Sequence, residues 1–302
     1  MDINSEIAKL DWSREPKGLY APIGYTLEAG GKRVRPTLAL LACQLFGGNE
    51  QEVLPAALAL EVFHNFTLLH DDVMDNASVR RGRPTVHVKW NNNTAILSGD
   101  QMLIEAYKLL SKVPANKLAK CMQLFNKMAT EICEGQQYDV DFEHRDDVTI
   151  EDYMMMIRLK TSVLLATALQ MGAYIANATE QQQQALYEYG IHIGLAFQIQ
   201  DDLLDCYGDP KTFGKAIGGD VAEEKKTFMW LTYQSKAQSQ AIHSHDLTQV
   251  LAAYNQYGVR EIAEQQIELL TTKALAYLDT LPQNEATEQL RQLAAHLINR
   301  KS

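Results

Sequence analysis

Six aspartates in two pentapeptides are the residues best placed to do chemistry: Asp71-Asp72-Val73-Met74-Asp75, and Asp201-Asp202-Leu203-Leu204-Asp205 in the second half of the chain. Each ends a long apolar segment, Glu61 to His70 before the first and Ile191 to Gln200 before the second. In a helix, residues four apart share a face. Asp71 then stands over Asp75 and Asp201 over Asp205, with Asp72 and Asp202 flanking the stripe. Like charges on one turn repel, and neither pentapeptide contains a cation. A divalent metal is the natural neutraliser. Carboxylate oxygens suit Mg²⁺, which keeps several waters and takes one or two protein carboxylates plus substrate phosphate. One such cluster reads equally well as a solvated helix face; its repetition in corresponding positions of the two halves favours the metal.

Cations lie beside both sets. Gly30-Gly31-Lys32-Arg33-Val34-Arg35-Pro36 places basic residues in a break between helical segments. Glycines, a helix start and cations together suit an oxyanion or phosphate, although a basic turn also reads as plain surface. Arg80-Arg81-Gly82-Arg83-Pro84 follows the first acidic set directly. Guanidiniums clamp phosphate bidentately, and they equally form salt bridges with neighbouring carboxylates. Past the second set, the loop from Tyr207 to Thr227 carries Lys211, Lys215, Lys225 and Lys226, repeating the arrangement.

The elements that must position these residues are helices. Helical spacing covers 17–28, 37–46, 52–76, 94–112, 115–143, 149–178, 181–207, 227–238, 246–256, 258–280 and 284–299, with Gly and Pro mostly at the boundaries. Residues 1–16 read as a helix start or a loose arm. No alternating strand pattern, repeat or low-complexity linker is evident, so residues 1–302 read as a single all-α domain with a ligand site among its helices. Composition agrees: 46% hydrophobic and 22% charged residues describe an ordinary soluble globular chain. A net charge of −10 argues against nucleic acid as partner, while local clustering of cations still permits an anionic substrate. No membrane span and no signal peptide are expected. Cys43, Cys121, Cys133 and Cys206 make no CxxC pair and read as reduced core residues of a cytoplasmic protein.

The motifs GGKRVRP at 30–36, HDDVMDNASVRRGRPTVH at 70–87, LSGDQM at 97–102, EGQQYDV at 134–140, LKTSVL at 159–164, FQIQDDLLD at 197–205 and FGKAIGGDVAEEKKT at 213–227 carry a resemblance. Together they resemble the trans-isoprenyl diphosphate synthases, the short-chain polyprenyl synthetase family of farnesyl and geranylgeranyl diphosphate synthases. The resemblance runs nearly end to end. It implies an isoprenoid-synthase helical bundle around a deep central cavity, a homodimer, and a prenyltransferase that joins isopentenyl diphosphate to dimethylallyl, geranyl or farnesyl diphosphate. It also implies Mg²⁺, several ions per site with Mn²⁺ as the alternative, held by Asp71, Asp75 and Asp201. Asp72, Asp202 and Asp205 take supporting roles. Arg80, Lys160 and Lys215 match the cations that meet the allylic diphosphate, and Lys225 the one that closes over it. Lys32, Arg35, His64 and Arg81 match the isopentenyl diphosphate pocket, and Thr161 and Gln198 polar positions beside the reacting carbons. One departure is Glu224, where the family usually has glycine before the lysine, and it puts loop closure at Lys225 in question.

Ionising an allylic diphosphate separates a carbocation from a polyanionic leaving group. Metal ions and fixed cations around the departing oxygens stabilise charge that grows in the transition state. The released diphosphate is a sufficient base for the final proton, so no nucleophilic side chain is required. Thr67 lies one turn below Asp71 on the same face, with Phe66 beside it, where a bulky group would floor the product cavity. Phe66 reads as that floor or as plain core. Short-chain members resemble this chain in carrying an aromatic five residues before the first motif, which favours the floor. The chain lacks the two extra residues of the bacterial farnesyl type, which favours geranylgeranyl over farnesyl diphosphate as product.

Three other readings compete. A terpene cyclase needs no isopentenyl pocket, and a non-catalytic subunit of a heteromeric synthase is expected to lack one or both acidic sets. A di-iron bundle needs two Glu-x-x-His pairs, of which Glu61-x-x-His64 supplies one. His70 and His87 read as hydrogen-bonded structural histidines.

Overall fold

A computed structural model describes residues 2–208, 217–241 and 243–298. They form two compact units, one of residues 1–124 with 168–183 and one of 125–167 with 184–302. The architecture is all-α, as the spacing predicts, with one two-stranded hairpin among the described residues as the exception.

The first unit is built on α4, Glu50–Met74, started by the Asn49 side chain accepting from the Gln51 N–H. Along it pack α3, Val34–Leu45, the short α5, Val86–Lys89, and α6, Asn92–Leu110, while α2, Lys17–Glu28, lies against α6. Leu60, Phe63 and Leu69 of α4 and Met102 and Leu110 of α6 are almost wholly withdrawn from water. Each such side chain contributes about 1.5–3 kcal/mol relative to an exposed one. Among the described residues α4 alone is long and apolar enough to cross a membrane, yet 61% of its apolar window is buried within the protein. Residues 1–16, read as a helix start or loose arm, contain α1, Ile3–Ala8, capped by Asp2.

The second unit holds the long helix α7, Ala115–Glu143, from residue 125 on, and most of α10, Glu180–Tyr207. It also holds α8, Ile150–Ile157, opened by a reciprocal Thr149–Asp152 capping box. After the short α11, Gly219–Ala222, come α12, Phe228–Ala237, α13, Leu247–Gln256, α14, Val259–Asp279, and α15, Glu285–Ile298. α12 packs on α8 and α14, and α14 on α13 and α15.

Several boundaries differ from those the sequence suggests, each for a physical reason. α3 begins at Val34 because Arg33 takes a left-handed conformation at its start, which leaves Pro36 inside the first turn. The span expected as one helix over 149–178 is α8, a five-residue π-helical segment Arg158–Ser162, and α9, Val163–Ile175. The hairpin, β1 Val79–Arg80 with β2 Arg83–Pro84, is too short for an alternating pattern. Cys43, Cys121 and Cys206 are buried as expected, but Cys133 is exposed, because it lies on the outward face of α7 beside buried Ile132.

Candidate active site

The first acidic set sits on the last turn of α4. The Asp75 N–H donates to the Asp71 carbonyl at 2.8 Å, so the helical repeat holds to its end and places Asp71 over Asp75 as expected. Asp72 turns inward, 5% exposed, and accepts from Arg80 Nε at 2.6 Å. Burial raises the Asp72 pKa and the adjacent Arg80 opposes the rise. Asp72 is therefore the anchor of the β1–β2 hairpin.

That hairpin aims Arg81. With Arg81 and Gly82 at φ 51° and 72°, the turn is of the tight left-handed kind that closes two-residue hairpins. The Arg81 guanidinium donates to the Gly30 carbonyl and, at 3.3 Å, to Asn65 Oδ1, and lies flat against Gly31. Asn65 in turn donates to Glu61 Oε1 at 3.0 Å, and Glu61 receives Arg33 Nη1 at 2.7 Å. Arg33 also donates to the Leu27 carbonyl and to Asn4 Oδ1, and is 6% exposed. Within the basic turn, Arg33 is thus a buried structural ion.

Arg35 is placed differently. Its Nε is buried with no hydrogen-bond partner, and burial pulls its pKa down to about 10, with Glu61 opposing and Arg81 adding to the fall. The His64 pKa is pushed well below its ordinary value, first by burial and then by Arg35, Arg81, Arg80 and Arg33. An imidazole kept from protonating by nearby guanidiniums marks surroundings whose positive charge favours an anion. Arg35 and Arg81 lie near enough to His64 to act on its charge, and Lys32 lies exposed in the turn that carries Arg35.

The second unit carries a cavity of about 260 Å³ lined by Asp139, Lys160, Thr161, Gln198, Asp201 and Lys225, with Asp202 and Asp205 also on its wall. Thr161 Oγ1 donates to Gln198 Oε1 at 3.2 Å, so these two predicted residues meet. Lys160 and Thr161 stand on the π-helical segment, and this brings Lys160 to Asp139 of α7 at 2.5 Å. Gly135 and Gly194 allow α7 and α10 to approach that segment: a Cβ on either would collide with the backbone of Lys160 or Ser162.

Asp202 and Asp205 are 4% and 8% exposed and hold the following loop. Asp202 Oδ2 accepts from the Tyr153 hydroxyl at 2.5 Å and from the Phe228 N–H at 3.1 Å; Asp205 Oδ2 accepts from the Asp220 N–H at 3.0 Å. Burial, then Asp220, raises the Asp202 pKa well above the usual carboxylate value. Tyr153→Phe removes one of two donors to this buried carboxyl. It is expected to lower stability by about 1–3 kcal/mol, measured as a shift of the denaturant midpoint.

Lys225 Nζ lies 3.0 Å from Glu223 and 3.9 Å from Asp220. Glu224 sits at φ 52°, a conformation that glycine adopts freely and other residues at a cost of about 1–2 kcal/mol. The loop therefore keeps the backbone that a glycine there would give. Lys215 lies outside the described residues.

Tyr153, Asp139, Asp220 and the Arg33–Glu61 pair are site supports that the motif reading missed. Asp139 and Asp220 lie within the quoted motifs, but no spacing rule links them to Lys160 or Asp205. Glu61 Oε1 is taken by Arg33 and Asn65, a scaffold contact, and the sequence offers no second Glu-x-x-His pair for a di-iron site. His70 is hydrogen-bonded to the Ile96 carbonyl as expected, whereas both ring nitrogens of His87 are buried without a partner.

Aspartate-rich helix ends, a histidine among arginines, and lysines resting on carboxylates are groups chemically suited to phosphate-bearing ligands in an all-α protein. Residues 16–294 match the family model described as polyprenyl synthetase. A geranylgeranyl diphosphate synthase of Methanosarcina mazei is 47% identical over 71% of this chain and 67% of its own. A geranylfarnesyl diphosphate synthase of Natronomonas pharaonis is 36% identical over 99% of this chain and 94% of its own. A crystal structure of a geranylgeranyl pyrophosphate synthase, 44% identical, superposes with a TM-score of 0.92 over 99% of this chain and 96% of that one. The chain belongs to the polyprenyl synthetase family and is a prenyltransferase with the all-α fold of that family.

Proposed function

We propose that residues 1–302 act as one prenyl synthase domain, which condenses isopentenyl diphosphate with an allylic diphosphate, dimethylallyl, geranyl or farnesyl, to a linear all-trans product. Geranylgeranyl diphosphate is favoured over farnesyl diphosphate. The observation that carries this reading is the α10 cavity, where Asp201 shares a wall with Lys160, Thr161 and Gln198. Carboxylate, cation and neutral dipole there match the three demands of allylic ionisation: a held leaving group, a neutralised charge and a steadied cation.

The donor set fits Mg²⁺. Among the described residues no three His, Cys, Asp or Glu side chains converge to hold a metal unaided, and Mg²⁺ asks only one or two carboxylates beside water and phosphate. Asp71, Asp75 and Asp201 are the proposed ligands. A metal held there would supply positive charge for the diphosphate oxygens.

Arg80, Lys160, Lys215 and Lys225 are assigned to the allylic diphosphate. Lys160 and Lys225 each rest on a carboxylate of this chain, so binding exchanges an internal ion pair for the substrate, while Arg80 keeps its Nε contact to Asp72 and offers its remaining N–H groups. Arg35, Arg81, Lys32 and neutral His64 are assigned to isopentenyl diphosphate. Thr161 and Gln198 present oxygens toward the developing cation, and the departed diphosphate accepts the proton.

Phe66 is proposed as the cavity floor, with Thr67 beside it, its hydroxyl donating to the His64 carbonyl at 2.8 Å. Phe66→Ala is expected to shift the main product at least one isoprene unit longer, measured by chromatography of the dephosphorylated alcohols. An unchanged main product would remove Phe66 from this role. Exposed Ile96, Leu97 and Ile104 along α6 support a homodimer as the working form.

A further inference from the structure

Phe66 does not stand alone on α4. Its ring meets the His70 imidazole edge-on, with centroids 4.8 Å apart and planes at 68°, and leans on Phe63 with centroids 5.4 Å apart. His70 follows Phe66 by one helical turn, so both project from one face. The imidazole is itself pinned, its Nε2 lying 3.1 Å from the Ile96 carbonyl oxygen of α6. A carbonyl oxygen only accepts, so Nε2 carries the proton in this contact. Gly99 makes room for that reach, because a Cβ there would overlap the imidazole ring. Asp100, 3.9 Å from the same nitrogen, is too far to be its hydrogen-bond partner.

We propose that His70 is a positioning residue for product length: the notch at Gly99 lets it dock on the Ile96 carbonyl, and the docked ring holds Phe66 across the path of the growing chain. This rests on Phe66 as the floor of the product cavity. Without the imidazole against it, the Phe66 ring has more freedom to turn toward another staggered rotamer when the prenyl tail presses on it. The edge-to-face contact removes that freedom, and the bond to Ile96 keeps the imidazole from giving way. The chain-length limit is then shared by two helices, with α6 acting through one glycine and one carbonyl.

The test compares product-length distributions of His70→Ala, Gly99→Ala, their double variant and Phe66→Ala, with isopentenyl diphosphate and a common allylic starter. The fraction of product longer than that of the unaltered protein is expected to rise about tenfold in each single variant. The double variant is expected to add nothing to His70→Ala, because Gly99 acts only through His70. A merely structural role would lower the thermal midpoint and leave the distribution unchanged. If Gly99→Ala does not fold, His70→Ala, which only deletes atoms, carries the test. Unchanged lengths in His70→Ala beside longer products from Phe66→Ala would overturn the proposal alone. Unchanged lengths in Phe66→Ala would overturn the floor and the proposal with it.

Discussion

Replacing Asp71 by asparagine is expected to lower kcat by about three orders of magnitude, the loss typical when one group that stabilises developing transition-state charge is removed. The substitution is nearly isosteric. It leaves the backbone carbonyl that accepts from the Asp75 N–H, so the end of α4 survives. In the proposed role of Asp71, the change removes a hard anionic ligand, which an amide oxygen replaces poorly for Mg²⁺. Steady-state kinetics over a range of Mg²⁺ concentrations checks this: kcat falls and the half-saturating Mg²⁺ concentration rises, while the KM for isopentenyl diphosphate stays near its original value. Asp72→Asn is the internal contrast. Asp72 is buried against Arg80, so its loss is expected to act through the hairpin and to raise the isopentenyl KM through Arg81.

The second large effect separates two arginines that lie two residues apart. Arg33→Ala leaves Glu61 buried, 2% exposed, with only Asn65 as side-chain donor among the bonds described. Breaking such a buried pair costs about 3–5 kcal/mol, a large part of the stability of an ordinary domain. Arg35→Ala deletes a guanidinium whose Nε has no internal partner and whose burial lowers its own pKa, so the fold is expected to keep its stability. Its loss should appear in the isopentenyl KM, which rises about tenfold to a hundredfold as one charge-assisted contact disappears. Denaturant midpoints and KM values for both variants decide the matter. Equal stability losses would place Arg35 in the scaffold, and an unchanged KM in Arg35→Ala would remove it from the substrate site.

These arginines mark how far the sequence can be read. Helical periodicity located α4 and α10 to within two residues at their starts and placed both acidic sets at helix ends, because a face repeating every 3.6 residues is a local property. Thr161 and Gln198 were legible for another reason, the motifs that contain them. Arg33 and Arg35 look alike in a basic turn. Only the left-handed backbone at Arg33, which turns its side chain toward Glu61, tells scaffold from site. The π-helical segment was invisible for a similar reason: one residue inserted into a helical repeat shifts the register without changing residue types. Tyr153 and Asp139 act through tertiary contacts with Asp202 and Lys160, which no spacing encodes. Glu224 shows the reverse case. It departs from the residue usual at that position yet keeps the backbone, because a strained turn held by the Lys225 N–H bond to the Asp220 carbonyl tolerates it.

The central claim is best tested by incubating the purified protein with isopentenyl diphosphate, Mg²⁺ and, in turn, dimethylallyl, geranyl and farnesyl diphosphates, and identifying the products. Metal-dependent linear products, with geranylgeranyl diphosphate predominant from every starter, are the predicted result. Isopentenyl diphosphate left unconsumed, with cyclic hydrocarbons or no product formed, would contradict it.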